Sequence, residues 1–146
     1  MSTTSLEAAL PPVDLGLRAT FDFFTHEHLR IADLDVNLHV NNVAILSLFE
    51  NVRNRYIQER TPLVRDDRTT FMLVHLDVDY KSELHYPGVV DAACTVLEVR
   101  RTSVVFCQAV FSGDRVAAVG HAIVVAVDRA SKRGLPFTEE MKQRFR

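Results

Sequence analysis

Several features that commonly reveal a protein's role are scarce in this chain. It has only two cysteines, Cys94 and Cys107, and no Cys/His spacing that resembles a structural zinc site. Both cysteines lie in apolar alternating runs, so we predict reduced core residues rather than a disulfide or a reactive thiol. A formal net charge of −2 leaves no basic excess, which argues against a general nucleic-acid binder.

The sequence also lacks a segment typical of membrane insertion or secretion. No apolar run approaches the roughly 20 residues that span a bilayer, and residues 1–16 have neither a basic n-region nor an apolar h-region. We therefore expect a cytoplasmic protein with no membrane partner. Its 146 residues, 47% of them hydrophobic and 25% charged, suit one globular domain with a real core. We predict a flexible leader over residues 1–16 and a single domain over residues 17–146.

A long helix is predicted over residues 43–60, which contain neither glycine nor proline. Its apolar residues recur at spacings of three and four, the period of a helix. These residues are Ile45, Leu48, Phe49, Val52 and Tyr56. Asn41 or Asn42 is suited to cap the start of the helix, and Pro62 marks its end.

Alternating apolar and polar residues predict strands on both sides of this helix. The predicted strands are 18–25, continued through residue 33, and then 69–80, 89–99, 104–111 and 116–127. In strand 69–80 the alternation puts Met72, Val74, Leu76, Val78 and Tyr80 on one face and His75, Asp77 and Asp79 on the other. Gly113-Asp114 is a hairpin signal, and Thr138 is suited to cap a last short helix over residues 138–145. This order predicts an α+β fold with an antiparallel sheet around one helix.

The most informative stretch runs from Asp35 to Asn42 and reads Asp-Val-Asn-Leu-His-Val-Asn-Asn. It sets a carboxylate, an imidazole and three carboxamides directly before the predicted helix. The first amides of a helix have no intrahelical partner and carry partial positive charge. A possible base beside such donors suits attack on an acyl carbonyl, because the donors would stabilise the developing oxyanion.

The ten residues from Asp33 to Asn42 resemble the signature of plant-type acyl-ACP thioesterases and a pattern of bacterial 4-hydroxybenzoyl-CoA-type and long-chain acyl-CoA thioesterases. These enzymes belong to the hotdog superfamily. Phe49-Glu50-x-x-Arg53 and residues 125–137 extend the resemblance, which covers about residues 18–140. It implies a hotdog fold, in which a curled antiparallel sheet wraps a long central helix. Many relatives have glycine where this chain has Leu38, so we expect a change in the loop backbone or in the width of the site.

The resemblance implies catalytic roles for Asp35, Asn37, His39 and Glu83. Asp35 would be the nucleophile or the base for water, Asn37 would orient water or donate to the oxyanion, and His39 would relay a proton. Glu83 would orient water or His39. In plant-type relatives a cysteine follows that glutamate, but Leu84 stands here, so a cysteine nucleophile has no residue at this position. Purely structural roles remain open for each of them: a loop turn for Asp35, loop support for His39 and an exposed charge for Glu83.

The remaining site residues would hold the substrate. The expected substrate-binding residues, at the helix N-terminus that forms the oxyanion site, are Val40, Asn41, Asn42 and Val43. The acyl chain would run beside Ile45, Leu46, Phe49 and Phe71. Cations in turns could meet the phosphates of the carrier, namely Arg100, Arg101, Arg129, Lys132 and Arg133. Asp33 would shape the loop, and Glu50 would be structural or line the site.

The implied function is hydrolysis of an acyl-CoA or acyl-ACP thioester, with no metal or redox cofactor, by a homodimer or a dimer of dimers. Two alternatives stay open. One is a hotdog hydratase or dehydratase that acts on a β-hydroxyacyl thioester, and the other is a non-catalytic protein that binds acyl thioesters. Fold alone does not decide among them, because hotdog domains have several functions; the polar stretch before the helix favours the thioesterase.

Overall fold

The computed structural model describes residues 12–61 and 67–146. Most of the predicted leader and the predicted helix stop at Pro62 lie outside the described residues. The elements, in chain order, are β1 (Phe23–His28), α1 (Asn42–Arg60), β2 (Thr69–Tyr80), β3 (Val89–Val99), β4 (Ser103–Ser112), β5 (Arg115–Asp128) and α2 (Glu139–Arg144). None of the helices in these two ranges is long and apolar enough to cross a bilayer.

The five strands form one antiparallel sheet in the order β1-β3-β4-β5-β2. Helix α1 packs on its inner face, as the predicted α+β arrangement requires. The predicted hairpin between β4 and β5 is confirmed, with Ser112 opposite Arg115 and Gly113 at a φ of 59°. The predicted cap of the last helix is also confirmed, because the Thr138 hydroxyl accepts a hydrogen bond from the Met141 amide at 3.2 Å.

The prediction of one strand from residue 18 to residue 33 was wrong. Only Phe23–His28 is a strand, and it ends where its pairing with β3 ends, at His28 opposite Val89. Short 3-10 turns lie on either side, over Arg18–Thr20 and Ile31–Asp33. The second turn closes because the Asp33 carboxylate accepts hydrogen bonds from both the backbone and the side chain of Arg30.

A bulge in β2 overturns the predicted alternation of this strand. The pairing with β5 shifts between Leu73 and His75, so Val74 is the inserted residue. Leu76 and Val78 pack on the core as predicted, whereas Met72, Leu73 and Val74 are exposed. A one-residue shift exchanges the two faces of a strand, and a pattern of alternation alone does not reveal it.

Close contact between α1 and the sheet depends on small residues in β5. A Cβ atom at Gly120 would lie 2.0 Å from the Asp77 carbonyl oxygen and 3.2 Å from Cε2 of Phe49. The same interior holds a buried guanidinium: Arg53 donates to Gln108 at 2.9 Å, and Gln108 donates to the Phe49 carbonyl at 2.6 Å. Burial lowers the pKa of Arg53. These bonds fix α1 against β4.

The outer face of the sheet is covered by the chain that precedes β1. Leu15 and Phe21 pack with Phe111 there, and Arg18 bonds to Asp91 at 2.8 Å. Leu15, which the predicted boundary assigned to the leader, is therefore part of this packed layer. Cys107 belongs to the same cluster and Cys94 to the inner core, and both are free, buried thiols as predicted.

Candidate active site

The chain between β1 and α1 folds into a tight loop around Asp35. Its backbone amide donates to the His39 carbonyl at 2.9 Å, and its carbonyl accepts from Leu38 at 3.1 Å. One carboxylate oxygen, Oδ1, accepts from the amides of Asn37 at 2.8 Å and His39 at 3.3 Å. Oδ2 receives no hydrogen bond from residues 12–61 or 67–146. The carboxylate thus shapes the loop with one oxygen and leaves the other available.

Leu38 occupies a backbone conformation that glycine adopts more easily. Its φ is 61°, in the left-handed region, and its side chain is 73% exposed. The loop therefore has a glycine-like conformation although the residue is leucine. The side chain does not line the cavity that contains Asp35, so the expected narrowing of the site by Leu38 is not found.

The start of α1 has few amides free to bind a substrate. The side chains of Asn41 and Asn42 both accept from the Val43 amide, at 2.9 and 3.1 Å. The amide of Val40 donates to the Leu84 carbonyl at 3.0 Å, and that of Asn41 donates to the Asp33 carbonyl at 2.7 Å. Within the described residues, the amide of Asn42 has no acceptor. Asn42 also lines the cavity, so its amide is the helix N-terminal donor that is available to a substrate there.

A second segment, residues 80–85, brings Glu83 to this loop. The amides of Lys81 and Ser82 donate to the Ala117 carbonyl at 2.8 and 3.2 Å, and Arg115 donates to the Glu83 carbonyl at 2.8 Å. Leu84 is buried in the cluster that also holds Val40, Ile45 and Phe49. The segment is therefore fixed to β5 and to the core beneath the loop.

These contacts bring Glu83 between two histidines. Its Oε2 lies 3.4 Å from Nε2 of His39 and 3.8 Å from Nε2 of His85. The two imidazole rings are 5.2 Å apart between centroids and inclined at 80°. His39 and Glu83, which are distant in sequence, thus form a contact pair beside Asp35.

A cavity of about 380 Å³ opens between the loop, the start of α1 and the segment after β2. Its apolar wall comes from Val40, Ile45 and Leu84. The full lining consists of Asp35, His39, Val40, Asn42, Ile45, Tyr80, Lys81, Ser82, Glu83 and Leu84. The hydroxyl of Tyr80 donates to the Asn42 carbonyl at 3.3 Å and ties the end of β2 to the helix.

The structure brings together most, but not all, of the predicted site residues. Asp35, His39, Val40, Asn42 and Glu83 line the cavity. The predicted residues Asn37, Asn41 and Val43 do not; the Asn37 side chain is exposed, the Asn41 side chain caps α1, and Val43 is 60% exposed. Asp33 shapes the loop as expected, and Glu50 is exposed and outside the lining.

Arg30 determines the charge state of Asp33. Desolvation raises the pKa of this carboxyl, but hydrogen bonds from the Arg30 side chain and backbone outweigh it, so the pKa is lowered. Asp33 therefore remains an anion that holds the turn. Its carboxylate is engaged by Arg30, which fits a structural role better than a catalytic one.

Sequence reasoning missed the residues that precede Glu83. Tyr80, Lys81 and Ser82 line the cavity, and their adjacency to Glu83 in the sequence is the signal that could have identified them. Phe71, which was expected to line the acyl pocket, lies elsewhere. It lines a separate cavity of about 250 Å³ with Asn54, Ile57, Gln58, Thr69, Thr70 and Arg129. Among residues 12–61 and 67–146, no cluster of three His, Cys, Asp or Glu side chains could hold a metal ion.

The family follows from the sequence as a whole. A family model described as the thioesterase-like superfamily matches residues 29–145, which include the loop, α1 and Glu83. The chain belongs to the thioesterase-like superfamily. No curated protein matches this chain. Membership supports thioesterase activity in general terms, and the substrate is inferred from the residues of the site.

Solved structures agree with this assignment. The PA5185 protein from Pseudomonas aeruginosa is similar with a TM-score of 0.80 and 28% identity, over 88% of this chain and 92% of that one. A thioesterase from Thermus thermophilus, complexed with coenzyme A and Zn, gives a TM-score of 0.77 and 27% identity over 86% and 98%. A 1,4-dihydroxy-2-naphthoyl-CoA thioesterase from Synechocystis gives 0.73 and 12% identity over 84% and 94%, which shows the fold alone. The predicted hotdog fold is confirmed.

Proposed function

We propose that this protein hydrolyses an acyl-CoA or acyl-ACP thioester to a free acid and a thiol. The observation that carries the proposal is the position of Asp35. Its Oδ2 has no protein partner among the described residues, and Asp35 and Asn42 line the same cavity. The Asn42 amide at the positive end of α1 is also unpaired there. A base or nucleophile and an oxyanion donor are therefore available to one substrate.

The proposed reaction begins with the thioester carbonyl near the start of α1. The Asn42 amide donates to the carbonyl oxygen and stabilises the oxyanion, an interaction worth roughly 3 kcal/mol in other enzymes. The side chains of Asn41 and Asn42 occupy the Val43 amide, so we assign the donor role to Asn42 rather than Val43. The apolar wall of Val40, Ile45 and Leu84 would take the start of the acyl chain.

Asp35 can act in either of two ways. As a base it takes a proton from water, the resulting hydroxide adds to the carbonyl carbon, and the C–S bond breaks. As a nucleophile it forms a mixed anhydride as the thiolate leaves, and water then opens the anhydride. Both routes consume one water and release one acid and one thiol. Neither route requires a metal or a redox cofactor.

We assign the proton transfer to the leaving sulfur to His39, with Glu83 as its partner. The distance of 3.4 Å between Nε2 of His39 and Oε2 of Glu83 supports this pairing. The carboxylate would orient the imidazole. Asn37 remains a candidate through the sequence resemblance alone, because its side chain does not line the cavity.

Coenzyme A is the carrier that the comparisons favour. The Thermus thermophilus thioesterase, 27% identical to this chain, is complexed with coenzyme A. We therefore propose acyl-CoA as the first substrate class to test and acyl-ACP as the second. The cytoplasmic location and the absence of nucleic-acid and membrane partners stay predictions from the sequence.

We also propose that the protein forms a homodimer through strand β2. This strand is at one edge of the sheet, and its exposed apolar residues include Met72, Leu73 and Val74. An unpaired edge that is long and apolar invites pairing with another strand. A second copy, related by a two-fold axis, would offer β2 antiparallel to itself. The dimer of dimers stays a prediction from the sequence resemblance.

Thiol release from a panel of acyl-CoAs tests the activity. The panel should range from acetyl to palmitoyl and include benzoyl and 4-hydroxybenzoyl thioesters, with Asp35→Asn as the variant. The carboxamide oxygen of asparagine can still accept from the Asn37 and His39 amides, so the loop should persist. We expect turnover to fall roughly 10²- to 10⁴-fold, the usual contribution of a general base.

Asp79→Asn is a matched control, because Asp79 is an exposed carboxylate near the end of β2 that does not line the cavity. Circular dichroism and the melting temperature should be the same in all three proteins. Full activity in Asp35→Asn would refute the assignment of Asp35. Binding of acyl thioesters without thiol release, on both CoA and ACP, would instead support a non-catalytic binding protein.

A further inference from the structure

The cations expected to bind the substrate carrier lie far from Asp35. Arg129 follows the end of β5, while the cavity adjoins Ala117 near its start. Twelve residue steps separate them, roughly 40 Å along an extended chain. Arg100 is paired with Glu98 at 3.0 Å, in the turn before Ser103, which lies opposite Val125 at the same distant end. Within one chain, Arg100 and Arg129 therefore lie at the opposite end of β5 from the cavity.

Lys81 is the lysine that lines the cavity. Its backbone amide donates to the Ala117 carbonyl at 2.8 Å, so its main chain is fixed at the end of β2. Its ammonium group makes no ion pair or hydrogen bond within residues 12–61 and 67–146, although Asp35 and Glu83 line the same cavity. The ammonium group of Lys81 is therefore not paired with either carboxylate of the site.

The carboxylates that also line the cavity determine what Lys81 can contribute to substrate binding. Asp35 and Glu83 both line the cavity, and as carboxylates they would together repel an anionic substrate. An ammonium group is a compact charge with three donors, and it binds phosphate and carboxylate oxygens well. It would offset the repulsion at one point of the cavity and attract an anionic group there. A substrate without such a group would gain nothing from Lys81.

We propose that Lys81 binds an anionic group of the substrate, and that it thereby selects charged over uncharged thioester ligands. The group is either the phosphate of the phosphopantetheine arm or a carboxylate at the far end of the acyl chain. Both present oxygens to the ammonium group in the same way. This inference rests on the proposed function, since it takes the ligand to be an acyl thioester.

Binding of thioether probes tests the inference without requiring catalysis. The probes are S-butyl pantetheine, which is uncharged, S-butyl 4′-phosphopantetheine, which adds the phosphate, and S-(3-carboxypropyl) pantetheine, which adds a carboxylate. A thioether has no carbonyl to hydrolyse, so dissociation constants can be measured by calorimetry for wild type and for Lys81→Met. Lys81→Arg tests rescue of the charge, and Lys142→Met, a lysine of α2 outside the lining, is the control.

We expect Lys81→Met to weaken at least one charged probe about 10-fold and to leave the uncharged probe unchanged. Loss confined to the phosphorylated probe identifies the carrier phosphate, and loss confined to the carboxylated probe identifies the acyl group. Lys81→Arg should restore most of the affinity, and added salt should weaken the charged probe in wild type.

Two results would overturn the inference. One is equal weakening of all three probes, which would mean that the lysine stem only packs against the ligand. The other is no preference of wild type for either charged probe. The proposed function is judged separately by thiol release and Asp35→Asn. If the protein hydrolyses acyl-CoAs but Lys81→Met leaves the dissociation constants of the charged probes unchanged, this inference is rejected and the proposed thioesterase activity stands.

Discussion

Single residues in the loop before α1 serve both structure and chemistry. Asp35 binds two loop amides through Oδ1 and leaves Oδ2 without a protein partner among the described residues. The structural and catalytic roles that the sequence left open are therefore compatible, because they use different oxygens. The same loop holds Leu38 at a φ of 61°, where a side chain is unfavourable.

Leu38→Gly should stabilise the protein by up to about 1.5 kcal/mol. Relief of the left-handed conformation gains roughly 1–2 kcal/mol, and the greater freedom of glycine in the unfolded chain takes back roughly 0.5–1 kcal/mol. Little hydrophobic burial is lost, because the leucine side chain is 73% exposed. Urea unfolding at pH 7 measures the change, with Val36→Gly, at another exposed loop position, as the comparison. Any measurable destabilisation by Leu38→Gly would contradict the proposed strain.

At the scale of elements, helix α1 connects the core to the site. Its first turn is capped by Asn41, and its middle packs on β5 through Phe49 beside Gly120. The position of α1 on the sheet therefore depends on this contact in the interior. Any change that separates α1 from β5 would also displace the Asn42 amide at its N-terminus.

Gly120→Ala should destabilise the fold and impair the site. A Cβ atom there would lie 2.0 Å from the Asp77 carbonyl oxygen, so β2 must shift. Overpacking of this kind typically costs about 1–3 kcal/mol. Gly134→Ala is the matched control, because its Cβ would meet Thr102 Cγ2 at an ordinary 3.4 Å. Thermal unfolding and thiol release check both variants, and equal melting temperatures would show that the sheet accepts the methyl group.

At the scale of the whole molecule, burial and an exposed strand edge govern stability and assembly. Desolvation raises the pKa of the Cys107 thiol to about 12 and that of Tyr56 to about 12, and it raises the pKa of Cys94 as well. The folded protein therefore holds these protons at pH values where the unfolded chain releases them. The unpaired side of β2 presents apolar residues at the same time.

Stability should decline at alkaline pH. The unfolded thiol loses its proton near its ordinary pKa of 9.0, and the folded Cys107 does so only at about 12. The stabilisation is complete below pH 9 and is lost as the pH rises toward 12, by at most about 1.4 kcal/mol per pH unit for each such group. Urea unfolding at pH 7, 9, 10 and 11 measures the slope. Tyr56→Phe should flatten it above pH 10, because the unfolded tyrosine releases its proton near 10.0 and the folded one at about 12. A slope that is the same in the variant would exclude Tyr56 as a contributor.

Leu73→Lys combined with Val74→Lys should convert a dimer into a monomer. Both side chains are exposed on the β2 edge, and two lysines per copy would repel across the two-fold axis. Light scattering with size-exclusion chromatography measures the mass at micromolar concentration. Val89→Lys, an exposed apolar position on β3, is the control. A monomeric wild type, or a double variant that stays dimeric, would remove β2 as the interface.

Prediction from sequence succeeded where hydrogen bonding and periodicity are local. Asn41 caps α1, Thr138 caps α2, and Gly113 turns the β4–β5 hairpin, as their residue types indicate. It failed where distant contacts decide. The strand expected over residues 18–33 is limited to the residues that pair with β3, and turns lie on both sides of it. The predicted alternation of β2 is broken by a bulge.

The sequence by itself determined the long helix, the antiparallel strands and the polar loop before the helix. Each depends on neighbours within a few positions, and the family resemblance rests on the same local residues. Only the tertiary structure decided that Lys81 joins Asp35 and Glu83 in one cavity while Phe71 and Arg129 line another. The reason is that sheet register and the burial of Leu84 bring distant segments together, and no local pattern encodes which segments those are.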